Sequence, residues 1–113
     1  MLAEPDRVYD SRSSGGVLAP NATRTISLSD AVPEGASGAL ITLSITGSSG
    51  SGPLRVGTAG VEPLATALQW SRTGDKVTNL VSTAVSGARA IAVKSAYSTG
   101  SVHVIVDVVG YLS

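Results

Sequence analysis

The chain has 113 residues, with eight acidic and eight basic side chains, one Trp, three Tyr, no Phe and no Cys. That length is natural for a single domain, residues 1–113; the balanced charge sets up no field to steer nucleic acid or an anionic membrane surface, and the missing cysteine excludes disulfides, thiolate metal sites and a cysteine nucleophile. No stretch approaches the ~18 apolar residues of a membrane helix, which predicts no membrane insertion, and Met1-Leu2-Ala3-Glu4-Pro5-Asp6-Arg7 lacks the basic start and apolar run of a signal peptide, which predicts no export by the general secretory route if Met1 is the natural start.

Turn signals cut the chain at short, regular intervals, the pattern of an all-β domain. Arg7–Asp10 is a short first strand, and Ser13-Ser14-Gly15-Gly16 a turn. Asn21-Ala22-Thr23 matches a glycosylation sequon and is read as a turn. Arg24–Leu28 alternates, with Ile26 and Leu28 on one face, and Val32-Pro33-Glu34-Gly35 turns into the next strand. Ala39–Thr46 puts Ala39, Ile41, Leu43 and Ile45 on a core face and Leu40, Thr42, Ser44 and Thr46 on the other.

Gly47–Gly52 contains only Gly and Ser and is the most flexible stretch of the chain, read as a hairpin loop. Pro53–Thr58 restarts a strand with Leu54 and Val56 inward. Thr66–Trp70 follows, with Thr66, Leu68 and Trp70 on one side, and then a polar turn at Arg72–Lys76. Val77–Val85 and the weakly alternating Ala88–Lys94 come next, and Ser98–Ser101 is expected to form a tight hairpin into the last strand.

That last strand, Val102–Tyr111, carries the strongest signal. Val102, Val104, Val106 and Val108 line one face, and His103, Ile105, Asp107 and Val109 the other. A β-branched run of this kind fits a pleated sheet and must pair centrally, because an exposed edge of that composition aggregates. The elements predict about seven to nine short antiparallel strands in a β-sandwich of two sheets, or a flattened barrel.

The motifs in order are Arg7-Val8-Tyr9-Asp10-Ser11-Arg12 before a Gly-rich turn, Val32-Pro33-x-Gly35-Ala36, Gly52-Pro53-Leu54-x-Val56 with Ala59-Gly60, Asn79-Leu80-Val81, and His103–Tyr111. Together they resemble a β-rich module of exported and cell-surface proteins of actinobacteria, often appended to hydrolases or repeated in tandem; similar segments occur in virion proteins of phages that infect those bacteria. The resemblance spans nearly the whole chain and implies no catalytic activity and no cofactor. It implies an accessory, structural or adhesive module. A stand-alone module without a leader fits a phage particle, as a capsid decoration, minor capsid or tail component assembled in the host cytoplasm. Its partners would be other virion proteins such as the major capsid protein, and a homo-oligomer is expected on general grounds. The alternative is a bacterial cell-surface or secreted module that binds cell-wall or other glycan.

Few residues offer chemistry. His103 is the single histidine, and Asp107, four residues along the same strand, lies about 13 Å away, beyond hydrogen-bond reach. No G-x-S-x-G elbow is present. Asp107 interrupts a valine run, where an unpaired carboxylate is costly if buried. A bidentate partner in Arg7 or Arg12 would satisfy it, so Arg7, Asp10, Arg12 and Asp107 are read as a structural clamp between the first and last strands. Trp70, Tyr97 and His103 are the candidate interface or glycan contacts, with core or interface packing as the competing role for Trp70. No residue is assigned to catalysis, to a metal or to a cofactor.

Overall fold

In the computed structural model, residues 6–13, 15–63, 65–95 and 99–112 are described. Among these residues eight strands form: β1 (Asp6–Asp10), β2 (Thr23–Ser27), β3 (Gly38–Thr46), β4 (Gly52–Thr58), β5 (Ala65–Trp70), β6 (Val77–Ala84), β7 (Ala90–Lys94) and β8 (His103–Leu112). They make two four-stranded antiparallel sheets, ordered β1-β8-β3-β6 and β2-β7-β4-β5. The two orders together are those of an eight-stranded jelly roll, a double-sheet way of managing strand edges. The sandwich expectation holds, and the flattened barrel does not. Among the described residues no helix is long and apolar enough to cross a membrane.

Two strands organise the first sheet because both alternate without interruption near their centres. Ala39, Ile41, Leu43 and Ile45 of β3, and Val104, Val106 and Val108 of β8, all point into the space between the sheets and are buried. Each fully buried Ile, Leu or Val contributes roughly 1.5–3 kcal/mol. From the second sheet Ile26, Leu54, Val56, Leu68, Ile91 and Val93 close the same core. β8 lies between β1 and β3, so both of its edges are paired.

The connections depart from the sequence reading. Gly47–Gly52 was expected to close a hairpin, but β3 and β4 belong to different sheets, and the segment arches from one to the other. The same holds for Ser98–Ser101: β7 and β8 lie in different sheets, and Ser98 itself is outside the described residues. Only β4 and β5 are consecutive and paired.

The Gly/Ser arch is also tied down rather than loose. The Ser48 hydroxyl reaches the carbonyls of Arg72 (3.2 Å) and Asp75 (3.0 Å). The Ser49 N–H donates to Ser101 O at 2.9 Å, and the Thr99 N–H to Ser51 O at 2.9 Å. Gly100 permits this approach, because a Cβ there would overlap the Ser49 carbonyl oxygen.

A β-bulge corrects one face assignment. Leu54 pairs with Leu68 but Arg55 pairs with Thr66, so Ala67 is the extra residue on β5. The bulge breaks the two-residue alternation, leaving Leu68 and Trp70 inward while Thr66 is exposed. The sequon residue Asn21 has φ 59°, a left-handed turn conformation that asparagine tolerates.

Candidate functional site

The sheet β1-β8-β3-β6 presents its outer face to solvent, and the register fixes which side chains line it. One row across the sheet runs Arg7, Asp107, Thr42, Leu80, and the next runs Asp10, Ile105, Ser44, Thr78. Beyond them His103 pairs with Thr46, and Leu40 with Ser82. The face is thus charged along the β1 edge and uncharged from β3 to β6.

The charged strip is a continuous chain of ion pairs. Arg7 Nε donates to Asp107 Oδ1 at 2.8 Å and its NH2 to Oδ2 at 3.3 Å. Arg12 makes the equivalent fork on Asp10, with Nε to Oδ1 at 3.0 Å and NH2 to Oδ2 at 2.8 Å. Arg7 NH1 lies 3.9 Å from Asp10 Oδ2 and joins the two forks. The structure therefore brings Arg7, Asp10, Arg12 and Asp107 together, and Arg7 rather than Arg12 meets Asp107. The Arg12 hydrogen bond, with the nearby positive charges of Arg12 and Arg7, holds the Asp10 carboxyl at about 2, below the ordinary 3.8. The Asp107 hydrogen bond and charge raise Arg7, and Asp10 does the same for Arg12. Within the cluster each carboxylate is matched by a guanidinium.

His103 lies on the outer face beside this strip. Its Nδ1 is 2.9 Å from the Ser11 hydroxyl, which also accepts the Val104 N–H at 2.8 Å. A serine beside a histidine invites a nucleophile reading. Ser11, however, is 1% exposed, and its oxygen is already taken by the backbone of β8. It fastens β1 to β8.

Trp70 does not serve as a surface platform. It is 2% exposed, and its indole N–H donates to Ser49 O at 3.0 Å, so neither ring face is available for stacking on a sugar. The packing role that competed with glycan contact is the one the structure gives it. Tyr97 lies outside the described residues. Near Trp70 an open depression of about 360 Å³ is lined by Ser51, Gly52, Pro53, Gln69, Trp70 and Ser71. Among the described residues no three His, Asp or Glu side chains gather as a metal-binding group.

Two polar devices were missed in the sequence. Arg24 NH1 donates to Tyr9 Oη (2.9 Å) and Gly16 O (2.7 Å), and its NH2 to Gly15 O (3.2 Å) and Val17 O (3.2 Å), clamping the loop after β1. Its signal was parity: Arg24 shares a strand face with Ile26 and Leu28, where a cation needs several acceptors. Asn79 reaches from one sheet to the other, donating from Nδ2 to Ala67 O at the bulge (2.8 Å) while its Oδ1 accepts its neighbour's Leu80 N–H (3.0 Å). No local signal announces that bridge.

No protein-family model matches the chain, and searches of the curated proteins and of the solved structures find no significant match.

Proposed function

We propose that this protein is a non-enzymatic structural component of a phage virion, a capsid decoration, minor capsid or tail protein that works by surface docking. One observation carries the docking reading: the outer face from β3 to β6 is an uncharged surface of Thr42, Ser44, Thr46, Thr78 and Ser82 with Leu40 and Leu80 among them. Short hydroxyl side chains lose little rotamer freedom on contact, and such a face meets a partner without desolvating a charge. The chemistry nearby is already committed, since the four-residue ion network is closed and the Ser11 hydroxyl is buried. The motif resemblance supports the virion setting, and jelly rolls include viral capsid domains.

The second reading, a cell-surface module for glycan, draws on the open depression beside Gln69, Ser51 and Ser71. Co-sedimentation separates the two. Purified protein is mixed with empty capsids of an actinobacterial phage or with purified cell wall, alongside a Thr42→Arg variant that puts a charge at the centre of the neutral face. Retention by capsids, weakened by Thr42→Arg, is the expected result. Retention by cell wall alone, indifferent to Thr42→Arg, defeats the virion reading.

A further inference from the structure

The four sheet edges are defended unequally. β1 carries Asp6, Arg7 and Asp10 and has a register shift between Arg7 and Tyr9. β2 is five residues long and contains Arg24. β5 is bulged at Ala67. Charges, bulges and short length are the devices that stop sheet edges from pairing with other chains. β6, VTNLVSTA, has none of them. It runs eight residues in unbroken register against β3, from Gly38 opposite Ala84 to Ile45 opposite Val77.

Which backbone groups of β6 face the open edge follows from two hydrogen bonds. The Val85 N–H, just past the strand, donates inward to Ser37 O at 3.2 Å. The Leu80 N–H turns the other way and meets the Asn79 side-chain oxygen at 3.0 Å. Strand alternation then directs the N–H and C=O groups of Thr78, Leu80, Ser82 and Ala84 outward from the sheet edge. Leu80, in the middle of this row, is 59% exposed.

We infer that β6 pairs antiparallel with β6 of a second copy of this chain, about a two-fold axis at Leu80. Three features select a second copy over another partner. Symmetric antiparallel pairing must set outward-facing residues opposite one another, and a centre at Leu80 does so, with Leu80 opposite Leu80 and Thr78 opposite Ser82. On the outer face that register joins two exposed leucines and two hydroxyl pairs, the kinds of cross-strand pair that stabilise sheets. The strand holds no charge and the chain's formal net charge is zero, so two copies approach without repulsion. Asn79 passes its Leu80 N–H to the opposing carbonyl and keeps its bond to Ala67.

An eight-residue edge is about 27 Å long. A single pair of such edges falls short of the ~1,200 Å² buried by stable complexes, so the dimer is weak and concentration-dependent. The inference stands on the edge geometry and goes beyond the virion reading; it does not depend on it.

The chain's lack of cysteine makes the test clean. Leu80→Cys places one thiol on the proposed axis, where opposed Cα atoms of a hydrogen-bonded pair lie about 5.5 Å apart, within disulfide reach. Thr25→Cys, on the exposed side of β2, is the control. In a glutathione redox buffer, Leu80→Cys is expected to form disulfide dimers about tenfold faster than Thr25→Cys, because pairing raises the local thiol concentration. In sedimentation velocity the mean mass of the wild-type protein rises with concentration, while Leu80→Lys, changed only at an exposed side chain, stays monomeric. Equal oxidation rates at positions 80 and 25, or identical sedimentation of wild type and Leu80→Lys, overturn the inference.

Discussion

Replacing Trp70 by phenylalanine separates a core tryptophan from a ligand-binding one. The indole is 2% exposed and packs among Leu54, Leu68 and the rest of the inter-sheet core, with its N–H bonded to Ser49 O at 3.0 Å. Phenylalanine removes that hydrogen bond, worth about 1 kcal/mol, and leaves the Ser49 carbonyl without its donor. The smaller ring also leaves a void; full truncation of a buried Trp costs about 3–5 kcal/mol, and the partial loss here about 1–2 kcal/mol. The expected total is about 2–3 kcal/mol, which in a domain of this size lowers Tm by about 8–12 °C. Thermal unfolding followed by far-ultraviolet circular dichroism reads the change directly. In the wild-type protein the lone indole should emit at short wavelength and resist acrylamide quenching. A Tm shift below about 2 °C, or a freely quenched indole, would refute the packing argument.

Arg24→Ala strips four acceptors of their donor at once and is expected to cost about 2 kcal/mol in urea unfolding. Arg24→Lys should recover only part of it, since an ammonium cannot span that fork, and full recovery would contradict the clamp. For Asp10 the folded-state value of about 2 lies below the ordinary 3.8, so its contribution is present above about pH 4 and is lost as pH falls toward 2. Melting temperatures measured across that window should fall more steeply for wild type than for Asp10→Asn; parallel curves would contradict the network. Asp107→Ala leaves Arg7 without its bidentate partner and should lower Tm by a few degrees, an exposed pair being weak. An unchanged transition would remove the clamp from the account.

The faces of β3 and β8 could be read from sequence because a period of two sorts side chains before any tertiary contact is known. Ala39, Ile41, Leu43 and Ile45, and Val104, Val106 and Val108, lie on the core side for that reason. The destinations of those strands were not legible. A short Gly/Ser segment serves a hairpin and an arch between sheets equally well, and only the packing of Ser48 and Ser49 against Arg72, Asp75 and Ser101 distinguishes them. Thr66 was misplaced because one inserted residue, Ala67, inverts the alternation without any local mark. The ion network was anticipated as a group from a carboxylate within a valine run, yet its internal pairing depended on the bulge that sets Arg7 opposite Asp107. Trp70 shows the limit of composition as a guide: a rare aromatic invites a binding role, and here the arch above it takes its only polar atom.

The proposed function is docking through a neutral sheet face as part of a particle. Mass spectrometry of mature, gradient-purified phage particles grown on an actinobacterial host tests it most directly. Peptides of this chain are expected in the particle band, in fixed ratio to the major capsid protein. Their absence from particles, with the chain recovered instead from the host cell wall, would contradict it.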